Sequence, residues 1–167
     1  MPRISLPALG TAIQKVRAMN MQDKERLADE LFLKQPNMLG SVLALSQMGV
    51  SFEKVGFALD ILFTCFQAMK ESGLNWPVIT EEDQDKQLGR YVGIVKFSED
   101  LSAGLANISM KQYIESHPEQ LLFAFVTGEL NDWIERSRFE KNDKYVMLSA
   151  TNLVNCIAFV SMPTLNQ

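Results

Sequence analysis

The residues best suited to chemistry in this sequence are two pairs of carboxylates, Glu82/Asp85 and Glu129/Asp132. Each pair has i, i+3 spacing, which places both side chains on one face of a helix. Two oxygens aimed from one face suit Mg²⁺, which takes oxygen ligands in octahedral geometry and bridges substrate phosphates. The chain carries 20 acidic residues, so pairs at this spacing also arise by chance, and no companion set of basic residues for phosphates stands out. Surface charge is the preferred reading.

His117 is the only histidine. That excludes two-histidine zinc motifs, Glu-x-x-His di-iron pairs and His-Asp phosphohydrolase sites. It stands immediately before Pro118, a natural helix entry, where a partly exposed structural role is expected. Cys65 and Cys156 each lie inside an apolar run and read as buried free thiols acting as small hydrophobes. There is no phosphate-cradling glycine-rich loop and no Cys-x-x-Cys. No cofactor is expected.

Two resemblances can be tied to particular residues. The paired carboxylates resemble the ExxE…ExxD magnesium sites of all-helical nucleotide pyrophosphohydrolases. That resemblance implies a Mg²⁺-dependent nucleotide hydrolase using Glu82, Asp85, Glu129 and Asp132. The run from Leu45 to Leu59, with Gly49-Val50-Ser51 followed by Val55 and Ala58, resembles the turn and second helix of a DNA-binding helix-turn-helix. In that family the glycine permits a left-handed turn, the next apolar residue locks two helices, and serine caps the recognition helix. The position after the turn carries Phe52, Glu53 and Lys54, with no Arg, Gln or Asn to read base edges. The apolar stretch beyond favours a helical corner inside a bundle. The net charge of −4, with scattered basic residues, gives no electrostatic footprint for nucleic acid.

The elements that would position these residues are helices. Leu88, Tyr91, Val92 and Val95 follow i, i+3, i+4, i+7, behind Thr80 as cap and an acidic first turn at Glu81, Glu82 and Asp83. Pro118 opens a helix whose buried face is Leu122, Val126, Leu130 and Trp133. Pro36 opens one over Met38–Met48, stopped by Gly49. Ser51 then caps Phe52–Glu71. Further helices are predicted over Gln22–Lys34 and Lys144–Met162, with shorter ones over Leu9–Met19 and Met110–Ser116. Trp76-Pro77-Val78-Ile79 reads as a connector, and Ser137–Asp143 as a break. Gln35-Pro-Asn-Met-Leu and His117-Pro-Glu-Gln-Leu form a weak internal likeness, each introducing a helix.

The sequence therefore predicts an all-α protein: a compact antiparallel bundle of six to eight helices in a single domain, residues 1–167, with 1–8 and 163–167 as loose ends. Apolar residues make up 47%, enough for a core without a disulfide or metal. Val55–Met69 and Tyr145–Met162 are apolar enough to require a membrane check. Asp60 interrupts the first, and Ser149, Thr151, Asn152, Asn155 and Ser161 interrupt the second, so both read as core helices. The start lacks the apolar region of a signal peptide, and a cytoplasmic location is expected.

By elimination of chemistry, the expected function is a non-enzymatic interaction or regulatory domain. Its partner would be another protein or a second copy of itself, with no nucleic acid and no membrane. Met48, Phe52, Phe57 and Trp76 are the candidate partner-binding residues, with Met38 and Met69 as further borders of an adaptable groove. Ser149, Asn152 and Cys156 form a polar stripe on the last helix, expected to be satisfied by hydrogen bonds to neighbouring helices.

Overall fold

A computed structural model of the chain describes residues 1–99 and 101–164. Eight α-helices are present among them: α1 (Leu6–Arg17), α2 (Met21–Lys34), α3 (Pro36–Leu43), α4 (Phe52–Glu71), α5 (Glu81–Glu99), α6 (Ala103–Glu115), α7 (Gln120–Arg136) and α8 (Asp143–Phe159). This is the expected all-α bundle, at the upper end of the expected helix number.

Local chemistry sets most of the helix ends. Ser5 caps α1, accepting from the Ala8 amide, and Ser51 caps α4, accepting from the Lys54 amide. Asn20 and Asp23 form a reciprocal capping box on α2. Thr80 and Asp83 do the same on α5, at 3.0 and 2.9 Å. The predicted Met38–Met48 helix is two elements, because α3 ends at Leu43 and the chain tightens into a 3-10 turn over Ala44–Met48. Ser41 and Ser46 hydroxyls donate back to the carbonyls of Met38 and Leu43, which competes with regular helix bonding. Gly49 then turns left-handed at φ 82°, as the stop signal required.

α4 and α8 pack together at the centre; α1 and α3 cover α4, while α5 and α7 cover α8. In α4 every residue from Ile61 to Met69 is buried. No helix among the described residues is long and apolar enough to cross a membrane. α6 starts seven residues earlier than the predicted Met110, because Gly104 and an irregular apolar spacing hide its first turns. None of its described side chains is fully buried.

The two halves share a layout. A buried isoleucine and a cap (Ile4-Ser5; Ile79-Thr80) lead into two helices, then an X-Pro entry (Gln35-Pro36; His117-Pro118), then two more helices. Both isoleucines are fully buried. The short Gln35/His117 likeness thus marks a likeness in helix order.

One expectation about the ends is corrected. Arg3 to Ala8 are held, not loose: the Glu119 carboxylate accepts the amides of Arg3 and Ile4, and the Arg3 guanidinium donates to the carbonyls of Ile157 and Val160 at 2.9 and 2.8 Å. At the other end Pro163 and Thr164 are exposed, and residues 165–167 lie outside the described residues.

Candidate functional site

The first chemical candidates do not converge. Glu82 and Asp85 sit exposed on α5, with Asp85 at the mouth of a cleft between α3, α5 and α8. Glu129 lines a different cavity, between α1, α4 and α7, where it pairs with Arg17 at 3.5 Å. Asp132 is exposed on α7. Among the described residues no three His, Cys, Asp or Glu side chains form a group that could hold a metal ion. The magnesium site implied by the spacing therefore does not assemble.

The helix-turn-helix likeness is geometrically real at its turn and fails beyond it. Gly49 is left-handed, Val50 is buried and Ser51 caps α4. The second helix, however, is the central core helix: its first turns expose Phe52, Glu53 and Asp60, none of them suited to reading base edges, and every residue from Ile61 to Met69 is buried. Lys54 is committed internally, donating to Asp143 at 2.7 Å and Glu140 at 2.9 Å.

His117 is corrected from partly exposed to buried, at 5% exposure. Its Nδ1 accepts the Glu119 amide at 3.1 Å, so Nε2 carries the proton and donates to Asn155 Oδ1 at 2.8 Å. The ring stacks on Phe123 with centroids 4.6 Å apart. Burial pushes its pKa below the usual histidine value, and among the described residues its hydrogen-bond network reaches the Tyr113 hydroxyl through Asn155 and contains no serine, threonine or cysteine. Cys65 and Cys156 are buried free thiols as expected, both pushed up to about 12 by burial.

The candidate partner-binding residues are dispersed. Phe52 stands 95% exposed at the start of α4. Phe57 is half-buried and stacked on Trp133, centroids 4.8 Å apart, in the wall of the Glu129 cavity. Trp76 clamps the connector onto the bundle, its indole N–H donating to the Met69 carbonyl and the Ser72 hydroxyl, both at 3.0 Å. Met38 and Met69 are buried core residues, though Met69 contributes with Trp76 to the lining of a cavity between α2, α4 and the connector. Met48 alone lines the α3/α5/α8 cleft.

Among the described residues, two of the three buried polar atoms without a hydrogen-bond partner belong to side chains that line that cleft, about 300 Å³. α8 supplies one continuous face: Tyr145, Leu148, Ser149, Asn152, Leu153 and Cys156. Ser41, Leu45 and Met48 form the α3 wall, and Gln84, Asp85 and Leu88 the α5 wall. The walls are stitched at their N-terminal ends. Asn37 Nδ2 donates to the Ile79 carbonyl and Gln84 Nε2 to the Asn37 carbonyl, both at 3.0 Å. Small side chains at Ser41 and Ser149 leave the space between the walls unfilled.

Here the polar stripe departs from expectation. Asn152 Nδ2 does reach a neighbouring helix, donating to the Gln84 carbonyl at 3.1 Å. Asn152 Oδ1 and Ser149 Oγ are buried and have no hydrogen-bond partner among the described residues. An unanswered buried polar atom costs about 1–3 kcal/mol, so these two are expensive for the fold. A third, Gln87 Oε1, lies on α5 outside the cleft lining. The sequence named Ser149 and Asn152 without seeing that they face a cleft; Gln84 and Leu88 carried no signal beyond helix periodicity.

The cleft suits binding. Its apolar surface can bury hydrocarbon, and its oxygens can accept hydrogen bonds. The lining holds no histidine or lysine to activate Ser149 or Cys156, and its one carboxylate is Asp85. Other cavities are larger, up to about 590 Å³ beside Trp76, Met69 and Val78, but among the described residues no buried unpartnered oxygen belongs to their lining. The Glu129 cavity, about 250 Å³, already pairs its acids, with Asp60 on Lys24 at 2.9 Å.

Comparison with known proteins finds no family model that matches this chain, no curated protein significantly similar to it and no solved structure with a significant likeness. Fold and site define it as an all-α protein with a side cleft between three helices.

Proposed function

We propose that this chain is a non-enzymatic helical binding module with an interaction or regulatory role, and that the α3/α5/α8 cleft is its binding site. The observation that carries the proposal is the pair of buried, unpartnered oxygens, Asn152 Oδ1 and Ser149 Oγ, in an otherwise largely apolar cleft. Concave, mostly apolar sites with a few placed polar groups are the usual form of a ligand pocket, and 300 Å³ is the lower end of their size. Two unpaired thiols also support a cytoplasmic location, where thiols stay reduced.

The test is a fragment screen followed by protein NMR. Binding fragments should shift the amides of Leu45, Leu88 and Asn152 and leave α2 unaffected. Ser149→Phe, which fills the cleft, should abolish those shifts. A screen in which no fragment perturbs the cleft would overturn the proposal.

A second reading, docking of another protein or a second copy, is favoured by the exposed corner before and at the start of α4. Phe52 is 95% exposed there, and Leu43 and Met48 are each 47% exposed. Sedimentation of the chain and of Phe52→Ser tests it: a self-associating chain should become monomeric in the variant.

A further inference from the structure

The polarity of the cleft narrows its ligand, and this step rests on the cleft being a binding site. Asn152 Nδ2 donates to a backbone carbonyl, that of Gln84. A carbonyl only accepts, so the orientation of the amide is fixed and Oδ1 is left as a pure acceptor. Ser149 Oγ stands one turn away on the same face of α8, buried and also unpartnered. The carboxylate of Asp85, the residue after Gln84, lies on the same turn of α5 that Asn152 grips. Amide oxygen and carboxylate thus flank one end of the cleft.

The lining carries no Lys, Arg or His. Lys86 and Lys144 are neighbours of lining residues in sequence but line the cleft with neither side chain; Lys144 Nζ lies 5.1 Å from the Tyr145 ring centroid and Lys86 is exposed. Glu81, Glu82 and Asp83 in the preceding turn add further negative charge beside the mouth. An anionic ligand would lose its hydration and meet acceptors; a cationic N–H donor would meet its complement. The remaining walls, Leu45, Met48, Leu88, Leu148 and Leu153, need a hydrocarbon body.

We infer that the cleft takes a small amphiphilic amine, its ammonium N–H groups donating to Asn152 Oδ1, Ser149 Oγ and Asp85 and its apolar body lying between α3 and α8. The experiment is a calorimetric titration of the full chain with hexylammonium, hexanol and hexanoate, three probes of one chain length, alongside NMR to locate binding. Hexylammonium should bind at the cleft at least about tenfold more tightly than hexanol, the size of one charge-assisted hydrogen bond. Hexanoate should bind weakest.

Asn152→Leu should remove about tenfold of the amine's affinity and a smaller factor, about two- to threefold, of hexanol's, whose O–H donates without charge. Because Asn152 also ties α8 to α5, the exposed Asp85→Asn provides a variant that leaves the core untouched, with an expected loss of about two- to fivefold that vanishes in high salt. Equal binding of the three probes at the cleft, or preference for hexanoate, would overturn the amine assignment and leave the binding site standing. No cleft shifts with any of these probes or with any fragment would overturn the site itself.

Discussion

Gln35 and Glu119 perform the same task for opposite halves of the chain. Gln35 Oε1 accepts the Ile79 amide at 2.9 Å, and Glu119 Oε2 accepts the Ile4 amide at 3.2 Å. Each is a buried polar side chain at an X-Pro helix entry, and each pins the segment that leads into the other half's first helix. Gln35 Nε2 also donates to the Pro77 carbonyl at 2.8 Å, so one side chain answers both a donor and an acceptor.

Replacing Gln35 by Ala should therefore cost about 2 kcal/mol or more, because it strands a buried amide and a carbonyl together. Urea unfolding followed by circular dichroism checks this; a loss under about 0.5 kcal/mol would mean the clamp is not needed.

His117 makes stability depend on pH. Burial lowers its folded pKa below the unfolded value of 6.5, so the unfolded chain binds more protons in that window. Its contribution is full above about pH 6.5 and is lost as pH falls towards the folded pKa. Glu119 works in the opposite sense, since burial raises its folded pKa above 4.5 and its contribution declines as pH rises through that folded value. The readout is thus the difference between the chain and His117→Phe. The variant should lose less stability than the parent between pH 7 and 5.5, and parallel curves would show that His117 does not titrate there.

Gly49→Ala should cost about 1–2 kcal/mol. The residue is left-handed, at φ 82°, a conformation that disfavours any side chain. Its Cβ would also stand 2.6 Å from Asn142 Nδ2, the movable end of a side chain. Adding Asn142→Ala should recover only the contact part. Full recovery in that double variant would place the whole cost in the contact.

Cys65 and Cys156, both buried with pKa values pushed up to about 12, should resist a thiol reagent at pH 8. Labelling should follow the rate of unfolding and become immediate in denaturant. Fast reaction of the native protein would show that one thiol is open.

Ser149→Ala removes an unpartnered buried hydroxyl, so it should leave stability unchanged or raise it by up to about 1 kcal/mol. The same change should weaken amine binding. A marked loss of stability would show that the hydroxyl is satisfied in solution.

Much of the fold was legible because helix ends carry local chemistry. Ser51 before an apolar run and Thr80 three residues before Asp83 set the starts of α4 and α5 correctly. α6 was half hidden, since it buries little and so has no strong stripe to read. The cleft was less legible. Ser149, Asn152 and Asp85 were each noticed, yet their meeting depends on how α3 and α5 lean on α8, which no spacing along the chain encodes. The burial of His117 is illegible for a related reason: it comes from Phe123, Tyr113 and Phe159 closing around the ring in space.

The hold that the last helix has on Arg3 sets an order of events during synthesis. The guanidinium closes on the carbonyls of Ile157 and Val160, which follow it by 154 and 157 residues, and the Arg3 amide on Glu119. A ribosome must release the chain as far as Val160 before Arg3 finds its place, so that segment waits, unanchored, while all the intervening helices are made.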